Sequence, residues 1–128
     1  MDIKDFQHIH SENLKSVLNA MPKSEYFSET SGIFQQLGDP SRLRILWLLC
    51  HCEECVINIA AAVGMTTAAV SHHLRTLKLH NLVTSRRSGK EVYYKLSDTN
   101  KANLIHQMID DLFEVTCPNS EHPNHLND

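Results

Sequence analysis

Apolar positions recur at helical spacing along most of the chain, and they predict a mainly α-helical fold. The first helix is predicted over residues 1–21, because Pro22 cannot continue it. A second helix is predicted over residues 29–37. The Gly-Asp-Pro sequence at 38–40 then supplies an N-cap and a proline suited to a first helical position, so a third helix should cover 41–50.

A last helix is predicted from a cap at Ser97 or Asp98 to about Val115. Its apolar stripe consists of Leu104, Ile105, Met108, Ile109, Leu112 and Phe113. A small domain has little core left for such a stripe to cover, so we expect the helix to pair with its copy in a second chain, helped by the N-terminal helix. Packing on its own domain is the alternative.

The middle of the chain predicts two short helices followed by a hairpin. The first helix covers residues 56–63 and ends at Gly64, residues 65–67 form a turn, the second helix runs over 68–80, and the hairpin covers 82–96. The fold class is therefore mainly α with a small β-wing, in the order α-α-α-α-α-β-β-α. This is the pattern of a winged helix-turn-helix, whose second helix is shaped to enter a DNA major groove.

The charge distribution favours a nucleic-acid partner. Residues 64–90 contain five basic residues and no Asp or Glu: Arg75, Lys78, Arg86, Arg87 and Lys90. Because the whole chain carries a net charge of −3, the remainder carries about −8. A local cationic surface on an acidic body can neutralise phosphates without binding every polyanion.

Length and motifs exclude several other classes. The 128 residues are enough for one domain, and the longest apolar run, 45–50, is too short to cross a membrane. The first five residues do not resemble a secretory signal, so we expect a cytoplasmic protein with reduced thiols. No metalloprotease motif, nucleophile elbow or phosphate loop is present, so neither an enzyme nor a small-molecule substrate is indicated.

Three cysteines and a histidine occur within residues 50–55 and suit a soft cation such as Cd²⁺, Zn²⁺ or Pb²⁺. Residues 51–54 are expected to form a short polar link, which contains Cys52, and Cys55 falls at a helix start, so neither cysteine is an obvious core position. A helix N-terminus also favours the thiolate form of Cys55. Cys50 continues the buried stripe of the third helix, so core packing and ligation are both open for it.

The chain resembles the ArsR/SmtB family of metal-responsive repressors. The resemblance covers about residues 30–115 and is carried by Leu-Gly-Asp-Pro-Ser-Arg-Leu-Arg-Ile-Leu at 37–46, Glu-Cys-Val at 54–56, Ala-Val-Ser-His-His-Leu-Arg-Thr-Leu at 69–77, Asn-Leu-Val at 81–83, and Gly-Lys-Glu-Val-Tyr-Tyr-Lys-Leu at 89–96. It implies a homodimer that binds double-stranded operator DNA when metal-free. Metal binding would weaken that complex and release an efflux or resistance gene from repression.

On this fold, candidate DNA contacts lie on the recognition helix and the wing. The residues expected near base edges are Thr66, Thr67, Ser71 and His72, and those expected at phosphates or in the minor groove are Arg75, Arg86, Arg87 and Lys90.

The resemblance also implies a thiolate metal site, in which Cys55 stands at the position of the family's first thiolate. Ile57 and Asn58 replace the second Cys and the Asp of the family motif, so Cys52 and Cys50 would supply the missing thiolates. The family completes such sites from the N-terminal arm, where this chain carries His8 and His10. The alternative for both histidines is a solvated surface.

A second family site bridges the last helices of the dimer, and this chain retains it only in part. The candidate ligands are Asp98, Asp111 and Glu114, with Asn100 and Asp111 standing where the family has histidine. Oxygen ligands alone suit hard ions better than Zn²⁺. A helix cap at Asp98 and a solvated face at Asp111 and Glu114 are the alternative readings.

Three segments follow from this reading: an N-terminal arm over 1–28, a winged domain with its dimerisation helix over 29–115, and a tail over 116–128. In the tail, Cys117, His122 and His125 either join a metal site or belong to a disordered end. A rival function keeps the same fold but senses thiol oxidation, with Cys50 and Cys117 as the candidate pair.

Overall fold

In a computed structural model that describes residues 7–8 and 12–117, the chain forms helices and one three-stranded antiparallel sheet. The elements, in chain order, are α1 (Asn13–Ala20), α2 (Ser24–Leu37), α3 (Pro40–His51), β1 (Glu54–Cys55), α4 (Val56–Val63), α5 (Thr67–Leu79), β2 (Val83–Ser88), β3 (Glu91–Leu96) and α6 (Asn100–Thr116). The predicted fold class, mainly α with a small wing, is confirmed. None of the helices in these described ranges is both long and apolar enough to cross a membrane.

The sheet contains a strand that the sequence pattern did not predict. Residues 51–54 were expected to form only a polar link, but β1 pairs with β3, with Glu54 opposite Tyr94 and Cys55 opposite Tyr93. The strand order is β1-β3-β2, so β3 is paired along both edges. Two residues are too few to show a period of two in the sequence, and only the neighbouring strand gives this segment its conformation.

The helix-turn-helix is built as predicted, with small shifts at its ends. Gly64 ends α4 in the left-handed region at φ 68°, where a side chain would be strained. The turn is shorter than expected, because Thr66 is the N-cap of α5 and Thr67 is its first residue. The Thr66 side-chain oxygen accepts a hydrogen bond of 3.1 Å from the N–H of Ala69.

Two other helix starts differ from the prediction. Helix α2 begins at Ser24 rather than near residue 29, since no Gly or Pro interrupts 24–28. Helix α6 is capped by Thr99, whose hydroxyl accepts from the N–H of Ala102, and not by Ser97 or Asp98. Ser97 is buried, and its N–H donates to the carbonyl of Leu82. By contrast, Asp39 caps α3 as predicted, accepting from the N–H of Arg42 at 2.8 Å.

The chain falls into two compact units, Met1–Gly32 and Ile33–Asp128, and the division lies inside α2. The second unit contains the hydrophobic core, which joins α3, α4, α5, the wing and α6. The buried members of that core are Ile45, Leu46, Leu49, Ile59, Ala60, Val63, Val70, Leu74, Leu77, Leu82, Val83, Ile105 and Ile109. These contacts fix α5 and the wing on one scaffold.

We expect Thr66→Ala to lower the free energy of unfolding by about 1 kcal/mol, because the first turn of α5 loses its side-chain acceptor. The matched control is Thr67→Ala, which removes an exposed threonine one residue later without removing the cap. Urea denaturation of both variants measures the difference. Equal destabilisation by the two substitutions would contradict the capping role of Thr66.

Candidate nucleic-acid interface and metal ligands

Helix α5 has one buried face and one exposed face. Val70, Leu74 and Leu77 point into the core. On the other side, Thr67, His72 and Arg75 are exposed and Ser71 is half-buried. Because a helix repeats every 3.6 residues, the predicted contacts at 67, 71, 72 and 75 share one outward surface. The outward surface offers hydroxyl, imidazole and guanidinium groups, which are the types of donor that read base edges and phosphates.

The wing lies beside this helix and extends the cationic surface. Lys78, near the end of α5, donates from Nζ to the hydroxyl of Ser85 on β2 at 2.7 Å. The wing turns at Gly89, whose φ is 63°, and the side chains of Arg87 and Lys90 around this turn are exposed. The wing therefore carries its charges where a second strip of phosphates would be met.

Arg86, one of the predicted phosphate contacts, is already engaged in an ion pair within the protein. Its guanidinium makes two hydrogen bonds to the carboxylate of Glu53, at 2.7 and 3.0 Å, and it lies 4.9 Å from the ring centroid of Tyr93. The hydrogen bond from Arg86 holds the pKa of Glu53 below its usual value. An exposed ion pair of this kind contributes little to stability because solvent screens it, so a phosphate can compete for Arg86. Glu53 was not among the predicted site residues.

A polar network links the middle of α5 to the start of α3. Arg42 donates from Nη1 to Oε1 of Gln36 at 2.6 Å and from Nε to Nδ1 of His73 at 3.4 Å. Nε2 of His73 lies 4.0 Å from the Asp39 carboxylate, and burial lowers the pKa of His73. His73 therefore has a supporting role, while its neighbour His72 faces outward.

The three cysteines of the predicted thiolate site have different surroundings. Cys55 is only 6% exposed, so the expectation that it avoids the core is wrong: pairing of β1 with β3 carries it inward. Cys52 is exposed at the end of α3, and its thiol donates to the carbonyl of Leu48 at 3.5 Å. Although the residue is exposed, partial desolvation of its thiol, aided by the charge of Glu54, raises the pKa of Cys52. Burial, aided by the charge of Asp110, raises the pKa of Cys50 to about 12.

Within residues 7–8 and 12–117, the thiols of Cys50, Cys52 and Cys55 do not form a group of three closely spaced ligand atoms. Metal ligation by these thiols remains a prediction, as it does for exposed His8. His10, His122 and His125 lie outside the described residues. Cys117 is exposed just after α6.

The second predicted site also remains a prediction. Asp98 precedes α6, and Asp111 lies thirteen residues later, so the helical rise separates the two by about 20 Å within one chain. They can share an ion only through a second copy of the chain. Asp111 accepts a hydrogen bond of 2.9 Å from the side-chain amide of Gln107, and Glu114 lies one turn further along α6.

One cluster of ligand-type side chains was missed by the sequence reasoning. Among the described residues, one group of at least three histidine, cysteine or carboxylate ligands lies within 4.8 Å of one another, and it consists of His51, His106 and Asp110. The spacing of His106 and Asp110, four residues apart on one helix face, was a signal available in the sequence. The contribution of His51 depends on how α3 packs on α6, which the local pattern does not reveal.

Comparison with known proteins gives one consistent result. Residues 39–85 match the sequence profile described as "Bacterial regulatory protein, arsR family". A transcriptional repressor SmtB homologue from Synechocystis is 37% identical over 89% of this chain and 86% of its own length. A cadmium resistance regulatory protein, a CadC homologue from Staphylococcus aureus, is 30% identical over 81% of this chain and 86% of its own. The homodimeric winged helix-turn-helix DNA-binding domain from Mycobacterium bovis matches with a TM-score of 0.66 and 27% identity over 74% of this chain and 87% of its own.

Proposed function

We propose, because this chain belongs to the ArsR family of bacterial regulatory proteins, that it is a metal-responsive transcriptional repressor. It binds operator DNA as a homodimer when metal-free, and it dissociates when a divalent ion binds. The observation that carries the proposal is the outward surface of α5 beside the wing, within a segment that contains basic residues and no acidic ones. Two relatives support the metal response, since one is described as an SmtB homologue and the other as a cadmium resistance regulatory protein.

The DNA-binding step follows from the shape and charge of this surface. Helix α5 presents Thr67, His72 and Arg75 to the floor of a major groove, while Arg87 and Lys90 contact the flanking phosphates. The phosphate contacts supply most of the affinity and make it salt-dependent, and the helix supplies the sequence preference.

A homodimer is supported by the apolar surface that α6 leaves exposed, at Leu104, Leu112 and Val115. An apolar cleft of about 440 Å³ continues this surface and is lined by Phe34, Leu37, Gly38, Leu43, Met108, Ile109, Leu112, Phe113 and Thr116. A two-fold dimer places two recognition helices about one DNA turn apart, roughly 34 Å.

The metal response is a linkage between two dimer geometries. The ion would be held by ligands from elements whose relative positions differ between the two geometries, so binding favours one geometry over the other. The operator-binding geometry is then less populated, and a coupling of about 1–3 kcal/mol lowers operator affinity by roughly 5–150-fold. Soft Cd²⁺, Pb²⁺ or Zn²⁺ is expected as inducer, with Cys52 and Cys55 as the predicted thiolate ligands.

We expect reduced wild-type protein to lose operator affinity in a titration with Cd²⁺, Zn²⁺ or Pb²⁺, and Cys52→Ser and Cys55→Ser to need more Cd²⁺ for the same loss. Fluorescence anisotropy of labelled promoter DNA measures the affinity, and near-ultraviolet absorption reports thiolate-to-metal bonds. His80→Gln, which removes a possible ligand outside the predicted thiolate site, is the control. Operator affinity that stays constant at saturating concentrations of all three metals would contradict the proposed function.

A further inference from the structure

We propose that His51, His106 and Asp110 form a binding site for a divalent cation of borderline softness, such as Zn²⁺, separate from the predicted thiolate site. The site joins the last residue of α3 to the middle of α6. The binding itself is independent of the proposed function. Its effect on operator affinity rests on that function.

The ligand atoms already lie at distances that suit one ion. Nε2 of His51 is 3.3 Å from Oδ1 of Asp110, and Nε2 of His106 is 2.9 Å from Oδ2 of the same carboxylate. Two ligands of a tetrahedral Zn²⁺ with bonds near 2.1 Å lie about 3.4 Å apart, so small side-chain rotations would suffice. Two imidazole nitrogens with one carboxylate oxygen form a donor set that Zn²⁺ commonly takes.

The orientation of His51 points its Nε2 lone pair into the cluster. Nδ1 of His51 lies 2.8 Å from the carbonyl oxygen of Trp47. Because a carbonyl only accepts, Nδ1 must carry the hydrogen, and a neutral ring then has its lone pair on Nε2. That lone pair faces a carboxylate oxygen, and two such acceptors repel each other unless a proton or a metal ion lies between them. A carbonyl that fixes the ring in this way is the usual outer partner of a metal-binding histidine.

Burial and access also fit a metal site. The Asp110 side chain is only 7% exposed, and a buried carboxylate is costly unless positive charge compensates it. The side chains of His51 and His106 are 21% and 30% exposed, so an ion can enter from solvent and keep a water as its remaining ligand. Since the donors are nitrogen and oxygen, this site should prefer Zn²⁺ over the more thiophilic Cd²⁺ and Pb²⁺.

The site lies on the helix that carries the proposed dimer surface and close in sequence to the segment that leads to the wing. His106 and Asp110 belong to α6, which carries the exposed apolar surface proposed for the dimer. His51 lies two residues before Glu53, whose carboxylate holds Arg86 of the wing. An ion that fixes the end of α3 against α6 therefore restrains the segment that leads to β1 and the wing.

The test compares Zn²⁺ binding by wild-type protein, His106→Gln, Asp110→Asn and the control His80→Gln, which removes a histidine from the end of α5. Affinity is measured by competition with a chromophoric chelator. We expect each cluster variant to bind Zn²⁺ at this site at least about 100-fold more weakly, since loss of an outer partner alone costs roughly 10–100-fold. His80→Gln should match the wild type. In ¹⁵N NMR spectra of the wild type, Zn²⁺ should shift the Nε2 signals of His51 and His106.

Unchanged Zn²⁺ affinity in a folded His106→Gln variant, or imidazole signals that do not respond to Zn²⁺, would overturn the proposed site. Thermal unfolding of the metal-free variants checks that they fold. If Asp110→Asn does not fold, the Zn²⁺ affinity of His106→Gln alone tests the site. Operator binding separates the two proposals. Zn²⁺ that binds His51 and His106 without changing operator affinity in the wild type leaves the site standing and contradicts its effect on DNA binding. The proposed function is contradicted when Cd²⁺ and Pb²⁺ also leave operator affinity unchanged. Release by Zn²⁺ that persists undiminished in His106→Gln supports the function and contradicts the effect of this site on operator affinity.

Discussion

Leu74→Ala is expected to lower the free energy of unfolding by about 2–5 kcal/mol. Leu74 is 0% exposed at the centre of the buried face of α5, and its side chain belongs to the core that also holds Ile45, Ile59 and Ile105. Truncation removes favourable burial and leaves a cavity between helices that cannot close fully. Because a domain of this size has a total stability of only about 5–15 kcal/mol, a loss of that size should also weaken operator binding at growth temperature.

The matched control is Leu79→Ala on the same helix, since Leu79 is 79% exposed. Its free energy of unfolding should change by about 0.5 kcal/mol or less. Both variants are measured by urea denaturation at one protein concentration, because the stability of a dimer depends on concentration. Similar values for the two substitutions would show that α5 is not anchored as described.

The double variant Arg87→Ala/Lys90→Ala is expected to bind the operator more than about tenfold less tightly, and its log affinity should depend less steeply on log salt. Each lost phosphate contact lowers that slope by about 0.9, so the expected fall is about two for each subunit. Both side chains are exposed at the wing tip, and neither takes part in the core. Stability should therefore stay near that of the wild type.

Two comparisons sharpen this prediction. Lys15→Ala/Lys23→Ala removes the same charge from exposed positions outside the wing and α5, and it should retain the wild-type salt slope. Arg86→Ala should weaken binding less than loss of Arg87 or Lys90, because its guanidinium must first leave Glu53. A salt slope that is the same in the wing variant and in the Lys15/Lys23 variant would locate the DNA contacts elsewhere on the molecule.

The sequence predicted those parts of the fold that depend on local signals. Apolar periodicity located α3, α4 and α5, Gly64 marked the end of α4, and Asp39 was recognised as a cap because its partner lies only three residues away. Strand β1 was missed because its conformation depends on pairing with β3, far away in the sequence. The cap of α6 was misplaced by one or two residues because Ser97, Asp98 and Thr99 are all good capping residues.

The candidate sites also contain some residues that local sequence signals predicted and others whose positions depend on tertiary packing. The outward residues of α5 follow from helical spacing, and the wing charges follow from their position in a hairpin. The burial of Cys55 follows from the position of β1, and the approach of His51 to Asp110 follows from the packing of α3 on α6. Neither could be read from spacing alone. The three cysteines within residues 50–55 led to the prediction of a thiolate site. Among the described residues, the ligand-type side chains that lie close together are instead two histidines and an aspartate.

The measurement that tests the central claim most directly is the affinity of reduced wild-type protein for promoter DNA from beside its own gene, at fixed salt, without metal and with saturating Cd²⁺, Zn²⁺ or Pb²⁺. The account predicts tight, salt-sensitive binding by the metal-free dimer and a loss of roughly 5–150-fold when the metal is present. Affinity that is the same without metal and with each of the three metals, or metal-free protein that does not bind this DNA at any salt concentration, would contradict it.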